Sequence, residues 1–252
     1  MKQEPYVPEI KSVVVCTISM CTRRCWHCAH GVHPPAKHIL SEKLATKIID
    51  DLASVGYEKR LSFFCGNEPL LDPRLEDFFR YASKKLPCAT LTLVSNGDLA
   101  TRNVLKRLFD SGMQKIIISL HSYERKPDFV DYQNEFGKDR LIVSDHASPT
   151  AITGFHNFGG LIKSDKVSQT RYPHSGCALP FKQLVVYPDY TLGLCCVDTR
   201  ETIRIQVDES ESIVETFFNS DELNKFRLML GSNQRNNDPC ANCSYIGRDY
   251  FD

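Results

Sequence analysis

The chain has 252 residues, enough for one large domain, or a domain with a small appendage, and for a sizeable core. Apolar residues make up 42% and charged residues 25%, an ordinary globular balance, and 31 Lys and Arg match 31 Asp and Glu, so no net positive field draws the chain to nucleic acid or to a membrane surface. The polar stretch 1–11 lacks the apolar core of a signal peptide and apolar runs such as 116–120 are far too short to span a bilayer, so a cytoplasmic protein is expected.

Residues 13–18 form a β-branched apolar run that reads as a buried strand, followed by a loop rich in cysteine and histidine over 19–38. A helix is predicted over 41–55, with Ser41 as N-cap, Leu44, Ile48, Leu52 and Val55 on one face, and Gly56 as its stop. A strand over 60–65 and a helix over 74–86 come next, the helix burying Leu75, Phe78, Phe79 and Ala82. Then come a strand over 89–94, a helix over 101–111 ending at Gly112, and a strand over 115–120. Strands that are apolar throughout and alternate with helices predict a parallel sheet with helices outside it, and function at the C-terminal strand ends. After residue 122 the pattern weakens to one further strand over 140–143, so a barrel built this way is partial. From about Lys166 the character changes. Residues 183–187 and 191–196 read as a hairpin around Pro188-Asp189-Tyr190. Ser212 and Glu215 form a capping box, and a helix over 221–230 precedes Cys240 and Cys243.

Eleven cysteines in a protein expected to be reduced point to metal or redox chemistry rather than disulfides. Cys21, Cys25 and Cys28 form a C-x3-C-x2-C run just after the first strand. Three thiolates in one loop can hold three irons of a cubane cluster and leave the fourth iron open to a small chelating molecule. The alternative is zinc, with His27, His30 or His33 as the last ligand. Cys177, Cys195, Cys240 and Cys243 form a possible four-thiolate set, either a fully ligated iron–sulfur cluster or a structural zinc site, which the spacing does not separate. Cys195 and Cys196 cannot both point at one centre if they sit on a strand.

The C-x3-C-x2-C run after an N-terminal strand resembles the signature of the radical S-adenosylmethionine (radical SAM) superfamily, and further segments carry the resemblance over about residues 12–121. Cys65-Gly66-Asn67-Glu68-Pro69, ending the second strand, is similar to the segment that binds the methionine amino group of SAM, with Asn67 a departure from glycine. Ser95-Asn96-Gly97 ends the third strand and resembles the segment reaching the SAM ribose or carboxylate; Ser119 and His121 end the fourth and resemble another such position. His27 stands where the family usually has an aromatic residue near adenine. The resemblance implies an α/β fold, a partial (β/α) TIM-like barrel over 1–165. It further implies a small C-terminal α+β cluster domain of the twitch (half-SPASM) type over 166–252, with Cys195 rather than Cys196 as a ligand and Cys196 a spare thiol. Where that domain type usually has glycine after Pro-Asp this chain has Tyr190, so a different turn is expected.

The cofactors so implied are two [4Fe-4S] clusters and SAM, cleaved to a 5′-deoxyadenosyl radical that abstracts hydrogen from a small polar substrate. A flavodoxin- or ferredoxin-like partner would supply electrons. Asn96-Gly97-Asp98 and Gly159-Gly160 resemble superfamily dehydrogenases that oxidise an aminocyclitol, but Phe158 replaces an arginine and Cys196 an aromatic residue, so the class of reaction is expected to carry over and the substrate is not. That class is a two-electron oxidation with the second cluster as acceptor, with His121 and Tyr187 as candidate bases by location alone. A second reading is a radical epimerase of a sugar or peptide, in which Cys196 or Cys65 returns a hydrogen atom. A third is a non-enzymatic, zinc-stabilised interaction module.

Overall fold

The computed structural model describes residues 8–121, 129–146, 155–199 and 201–245; most of the polar N-terminal stretch lies outside them. Five strands appear in order with helices between them: β1 (Ser12–Val15), β2 (Arg60–Ser62), β3 (Thr90–Ser95), β4 (Lys115–Leu120) and β5 (Leu141–Asp145). The intervening helices are α1 (Ala29–Val32), α2 (Glu42–Ser54), α3 (Leu75–Lys85), α4 (Arg102–Asp110) and α5 (Phe129–Phe136). The C-terminal third adds α6 (Leu179–Lys182), strands β6 (Gln183–Val186), β7 (Leu192–Gly193) and β8 (Arg204–Ile205), then α7 (Ile213–Asn219) and α8 (Asp221–Gly231).

All eight strands share one sheet in the order β5-β4-β3-β2-β1-β6-β7-β8, parallel from β5 to β6 and antiparallel beyond. The expected parallel α/β architecture is present. The hairpin of the C-terminal third is not a separate sheet: Ser12 pairs with Arg60 on one side and with Gln183 on the other, so β1 is an interior strand joining both thirds of the chain.

Strand alternation sorts the side chains. Val13, Val15, Leu61, Leu91, Leu93, Ile116, Ile118, Leu184 and Val186 face the helices and merge with Ile48, Leu52, Phe78, Phe79, Leu105 and Leu108 into the main core. The inner face of β1 and β6 packs into a second, smaller cluster of Val14, Cys16, Cys65, Val185 and Tyr187, with Cys196 against it. By the same alternation Val94, Ile117, Ser119, Ile142 and Ser144 face inward, yet they are only half-buried. The inner face is thus buried at β1 and β6 and half-buried at β3 to β5.

Local signals explain the helices. Ser41 and Thr101 accept the backbone N–H of Leu44 and Val104, as N-caps do. Leu75, Phe78, Phe79 and Ala82 are the buried face of α3. On α2 the buried residues are Ala45, Ile48, Ile49 and Leu52; Val55 lies past the last turn and is exposed. Ser212 caps α7 through the N–H of Val214 rather than that of Glu215. Tyr190 adopts φ 65, so the turn keeps a left-handed residue where glycine was expected, instead of changing its geometry. Such a conformation costs on the order of 1–3 kcal/mol, and the burial of Tyr190 in the main core offsets it.

Candidate functional site

The cysteine loop leaves the C-terminal end of β1 and is closed at its base by an antiparallel bridge between Ile18 and Ile39. Within it the chain doubles back so tightly that a Cβ on Gly31 would collide with the carbonyl of Cys25, which leaves room only for glycine. The loop is fastened to the end of β3. Arg23 Nε donates to Asp98 Oδ2 at 2.9 Å and its Nη2 donates to Oδ1; Thr22 Oγ1 donates to the same carboxylate at 3.0 Å. Asn96 Nδ2 donates to Thr22 Oγ1 at 2.9 Å and lies 3.7 Å from Cys21 Sγ. Arg23 and Asp98 carry no metal chemistry of their own, and only their places inside two motifs could have marked them.

Glu68, fully enclosed, is the hub behind this fastening. Its Oε1 accepts from Ser95 Oγ at 2.8 Å and Leu70 N at 3.0 Å, and its Oε2 accepts from Asn96 N at 2.7 Å. The Glu68 N–H in turn donates to Met20 O, just before Cys21. Ser95 Oγ also accepts from Gly97 N. The Glu68 and Ser95 side chains thus brace the loop, and the segment's other polar groups are its backbone and the Asn67 side chain. Asn67 Oδ1 accepts from Cys65 N, while its buried Nδ2 has no partner among the described residues.

His27 and His121 meet just beyond the C-terminal end of β4, His27 Nε2 lying 3.3 Å from His121 Nδ1. His27 stacks on Phe155 at 4.3 Å, and His121 stacks on His146 at 5.4 Å. Burial, followed by His27 and His146, pulls the His121 pKa down to about 4, so this imidazole is neutral at pH 7. His146, missed in the sequence because residues 140–143 ended the predicted strand, sits one residue beyond β5 beside Ser144 Oγ at 3.1 Å. Its pKa is also lowered by burial. Ser119 lies on the same inward face of β4 as His121.

Two cavities lie near the two cysteine sets. The first, about 320 Å³, opens between the cysteine loop and the end of β2 and is lined by Cys16, Cys65, Gly66, Tyr187, Thr199 and Glu201 among others. Burial raises the thiols of Cys16 and Cys65. Cys196 does not line this cavity; its N–H donates to Gln183 Oε1 at the far end of β6, and burial raises its thiol to about 11. Tyr187 is no base: its hydroxyl donates to Asp198 O at 2.9 Å, and burial holds its pKa well above the usual value.

The second cavity, about 360 Å³, is lined by Cys177, Cys195, Cys240 and Cys243 together, which brings four cysteines distant in sequence to one place. Cys195 is turned toward it and Cys196 is not, although the two lie in a turn after β7 rather than on the strand. The walls are built from segment 157–160. Asn157 Nδ2 donates to Asn242 O, and its backbone N–H and Oδ1 bond Ser244. A Cβ on Gly159 or Gly160 would come within 2.8 Å of Pro239 or Asn242. The Asn157-Phe158-Gly159-Gly160 segment therefore supports the cysteine-bearing turn at the chain's end.

The donor chemistry of the two cysteine sets fits iron–sulfur clusters, with zinc as the single-ion alternative. Tetrahedral zinc with Zn–S of about 2.3 Å needs its sulfurs roughly 3.8 Å apart. Among the described residues the group gathered within 4.8 Å is Cys25, His27 and His121, and neither cysteine set is drawn that close. All eleven cysteines are free thiols. Burial, with Cys28 next, raises Cys25 to about 11, and burial raises Cys195 and Cys240, so ligation would have to displace protons.

Comparison with known proteins agrees with this geometry. The sequence profile of the Radical SAM superfamily matches residues 15–141, half of the chain. The chain is 26% identical over 234 residues to the S-adenosyl-L-methionine-dependent 2-deoxy-scyllo-inosamine dehydrogenase of Niallia circulans, covering 90% of both proteins. It is 30% identical to the GTP 3′,8-cyclase of Chlorobaculum tepidum over 114 residues, 45% of this chain and 34% of that protein. In fold it matches the crystal structure of BtrN in complex with AdoMet and 2-DOIA, with a TM-score of 0.83 at 24% identity, over 98% of this chain and 97% of that one.

Proposed function

We propose, given that this chain belongs to the radical SAM superfamily, that it oxidises a carbinol or similar C–H centre of a small polar, aminocyclitol- or carbohydrate-like molecule by two electrons. Family membership makes it an enzyme that uses SAM and a [4Fe-4S] cluster, and removes the reading as a non-enzymatic zinc-stabilised module. Our reading adds the residues, the second cluster and the substrate class. Cys21, Cys25 and Cys28 would hold the first cluster, and Cys177, Cys195, Cys240 and Cys243 a second, in a twitch-type unit over 166–252 appended to the barrel over 1–165. When bound, these groups and SAM supply hydrogen-atom abstraction from an unactivated carbon and an acceptor for one electron.

The chain's own residues do the rest. The Gly66–Asn67 backbone, the unpartnered Asn67 amide, His27, Ser119 and His121 would contact SAM, while Glu68, Ser95 and Asn96 hold the cysteine loop in register with them. His121 and His146, neutral at pH 7 and one residue past β4 and β5, would accept a proton from a substrate hydroxyl. The observation that carries the oxidative reading is the four-cysteine cavity, which Tyr187 and Asp198 separate from the first cavity beside Gly66. The name of the Niallia circulans relative supports the substrate class. No helix among the described residues is long and apolar enough to cross a membrane. We place the enzyme in the cytoplasm with a flavodoxin- or ferredoxin-like electron donor.

Anaerobic reconstitution with iron and sulfide counts, followed by a SAM cleavage assay with small polyols and aminocyclitols, tests this reading. Two clusters and a product lighter by two hydrogens are expected; a single cluster, or a product of unchanged mass, would defeat it. The epimerase reading keeps one supporting observation, the Cys65 thiol lining the first cavity. It requires solvent deuterium in an isomerised product and loss of inversion in Cys65→Ala, whereas under oxidation Cys65→Ala and Cys196→Ala keep product formation.

A further inference from the structure

A buried charge beside the four-cysteine cavity is left unexplained by the fold. Arg235 follows α8, is 3% exposed, and lines that cavity with Cys240 and Cys243. Its Nε donates to Ser175 O at 3.2 Å, Nη1 to Tyr245 O at 2.6 Å and Nη2 to Gly176 O at 2.7 Å. Carbonyls satisfy its donors but do not neutralise its charge, and among the described residues it has no carboxylate partner. A buried cation is costly unless an opposite charge faces it. One acid lines the same cavity, Asp198, whose oxygens accept from Thr202 N and Ile203 N at 3.1 and 3.0 Å, on the Cys195 side. The cavity lining therefore carries one fixed cation, Arg235, and one carboxylate, Asp198.

We propose that Arg235 is a positioning residue for the auxiliary cluster, raising its reduction potential electrostatically, with Asp198 acting in the opposite direction. The inference rests on the reading of the four cysteines as ligands of an iron–sulfur cluster. Such a cluster is anionic and becomes more so on reduction, so a fixed positive charge in a poorly screened interior favours the reduced form and a fixed negative charge disfavours it. A raised potential is what an electron acceptor requires. Arg235 also has a mechanical part. Its three contacts join the chain just before Cys177 to the chain just after Cys243, so it staples the two cysteine segments together. The two roles differ in what rescues them: lysine restores the charge but cannot reproduce three divergent carbonyl contacts.

The test uses the full-length chain with Cys21, Cys25 and Cys28 replaced by alanine and reconstituted anaerobically, so that redox titration followed by EPR reports the auxiliary cluster alone. Arg235→Gln should shift the reduction equilibrium at least tenfold toward the oxidised cluster, a fall of about 59 mV for a one-electron couple. Arg235→Lys should stay within threefold of the parent even where it loads less iron, and Asp198→Asn should shift the equilibrium toward the reduced cluster. A glutamine variant with the parent's potential overturns the proposal. So does a lysine variant that falls as far as glutamine, because lost contacts rather than lost charge would then be the cause. If the glutamine variant fails to load, Asp198→Asn decides, and a potential at or below the parent's overturns the proposal. Absence of iron from the parent itself would instead bring down the reading of the four cysteines, and this inference with it.

Discussion

Glu68 is enclosed by protein on every side, and each of its hydrogen bonds runs to the chain: Ser95 Oγ, Leu70 N and Asn96 N. Glu68→Ala would leave three donors without their acceptor, at a cost of about 3 kcal/mol, because hydrogen bonds to charged groups are worth roughly 1.5–3 kcal/mol and the loop can recover part by hydration. The variant should unfold at a lower temperature and bind SAM more weakly, with Glu68→Gln intermediate. Thermal denaturation with SAM-binding calorimetry checks this, and an alanine variant as stable as the parent would show that the bracket contributes nothing. The sequence motif singled out Glu68 and Ser95, but the hydrogen bonds their side chains make to the loop appear only in the fold. A pattern of residue types names the chemistry available at a position and not the atom that uses it. His146 and Arg235 were invisible for a related reason: each acts through a neighbour far away in sequence, and neither belongs to a motif.

The cysteine loop and the β3–α4 connection are held together by the Arg23–Asp98 pair, whose side chains are 16% and 3% exposed. A bidentate, largely buried pair of this kind is strongly destabilising to break from one side, by about 3–5 kcal/mol, because the other charge is left buried and unpaired. Arg23→Ala should therefore lower iron occupancy at the first cluster and SAM cleavage together while iron held by the four-cysteine set stays constant. Iron counts in the single variant and in the Cys21, Cys25, Cys28 triple-alanine background separate the two, and equal loss from both clusters would contradict a local clamp. Among the elements themselves, α2, α3 and α4 were legible because caps and amphipathic faces are written within a dozen residues, and β4 because its apolar run has clear bounds. Helix α5 and the two-residue β8 were not predicted, since the first lies where periodicity fails and the second is too short to show any. Nor could local pattern reveal that β6 belongs beside β1, a pairing fixed by tertiary contact alone.

Across the whole molecule, the four-cysteine cavity joins the turn after β7, segment 157–160 and the chain from 239 to 245. Binding free energy at such a site is also folding free energy. Burial raises the Cys195 and Cys240 thiols, so both are protonated at neutral pH in the metal-free chain, and each must release a proton on ligation. If the four cysteines hold a second cluster, as proposed, its retention should therefore weaken as pH falls and strengthen as it rises. The loaded protein should melt above the metal-free one by a margin that shrinks toward acid. Melting curves at several pH values in the triple-alanine background measure this, and a margin independent of pH would rule out thiolate ligation by these buried groups.

The interior position of β1 has a consequence for how the chain is made. Ser12 meets Arg60 on one side and Gln183 on the other, so β1 gains its second neighbour only after roughly 170 further residues. At synthesis rates of about 5–20 residues per second that interval lasts on the order of 10–30 s. During it this interior strand of the finished enzyme is a bare edge of four residues, Ser12 and three valines. An unpaired edge of that kind is a template for other nascent chains. A strand fully buried in the finished molecule is thus in need of protection while it is being synthesised.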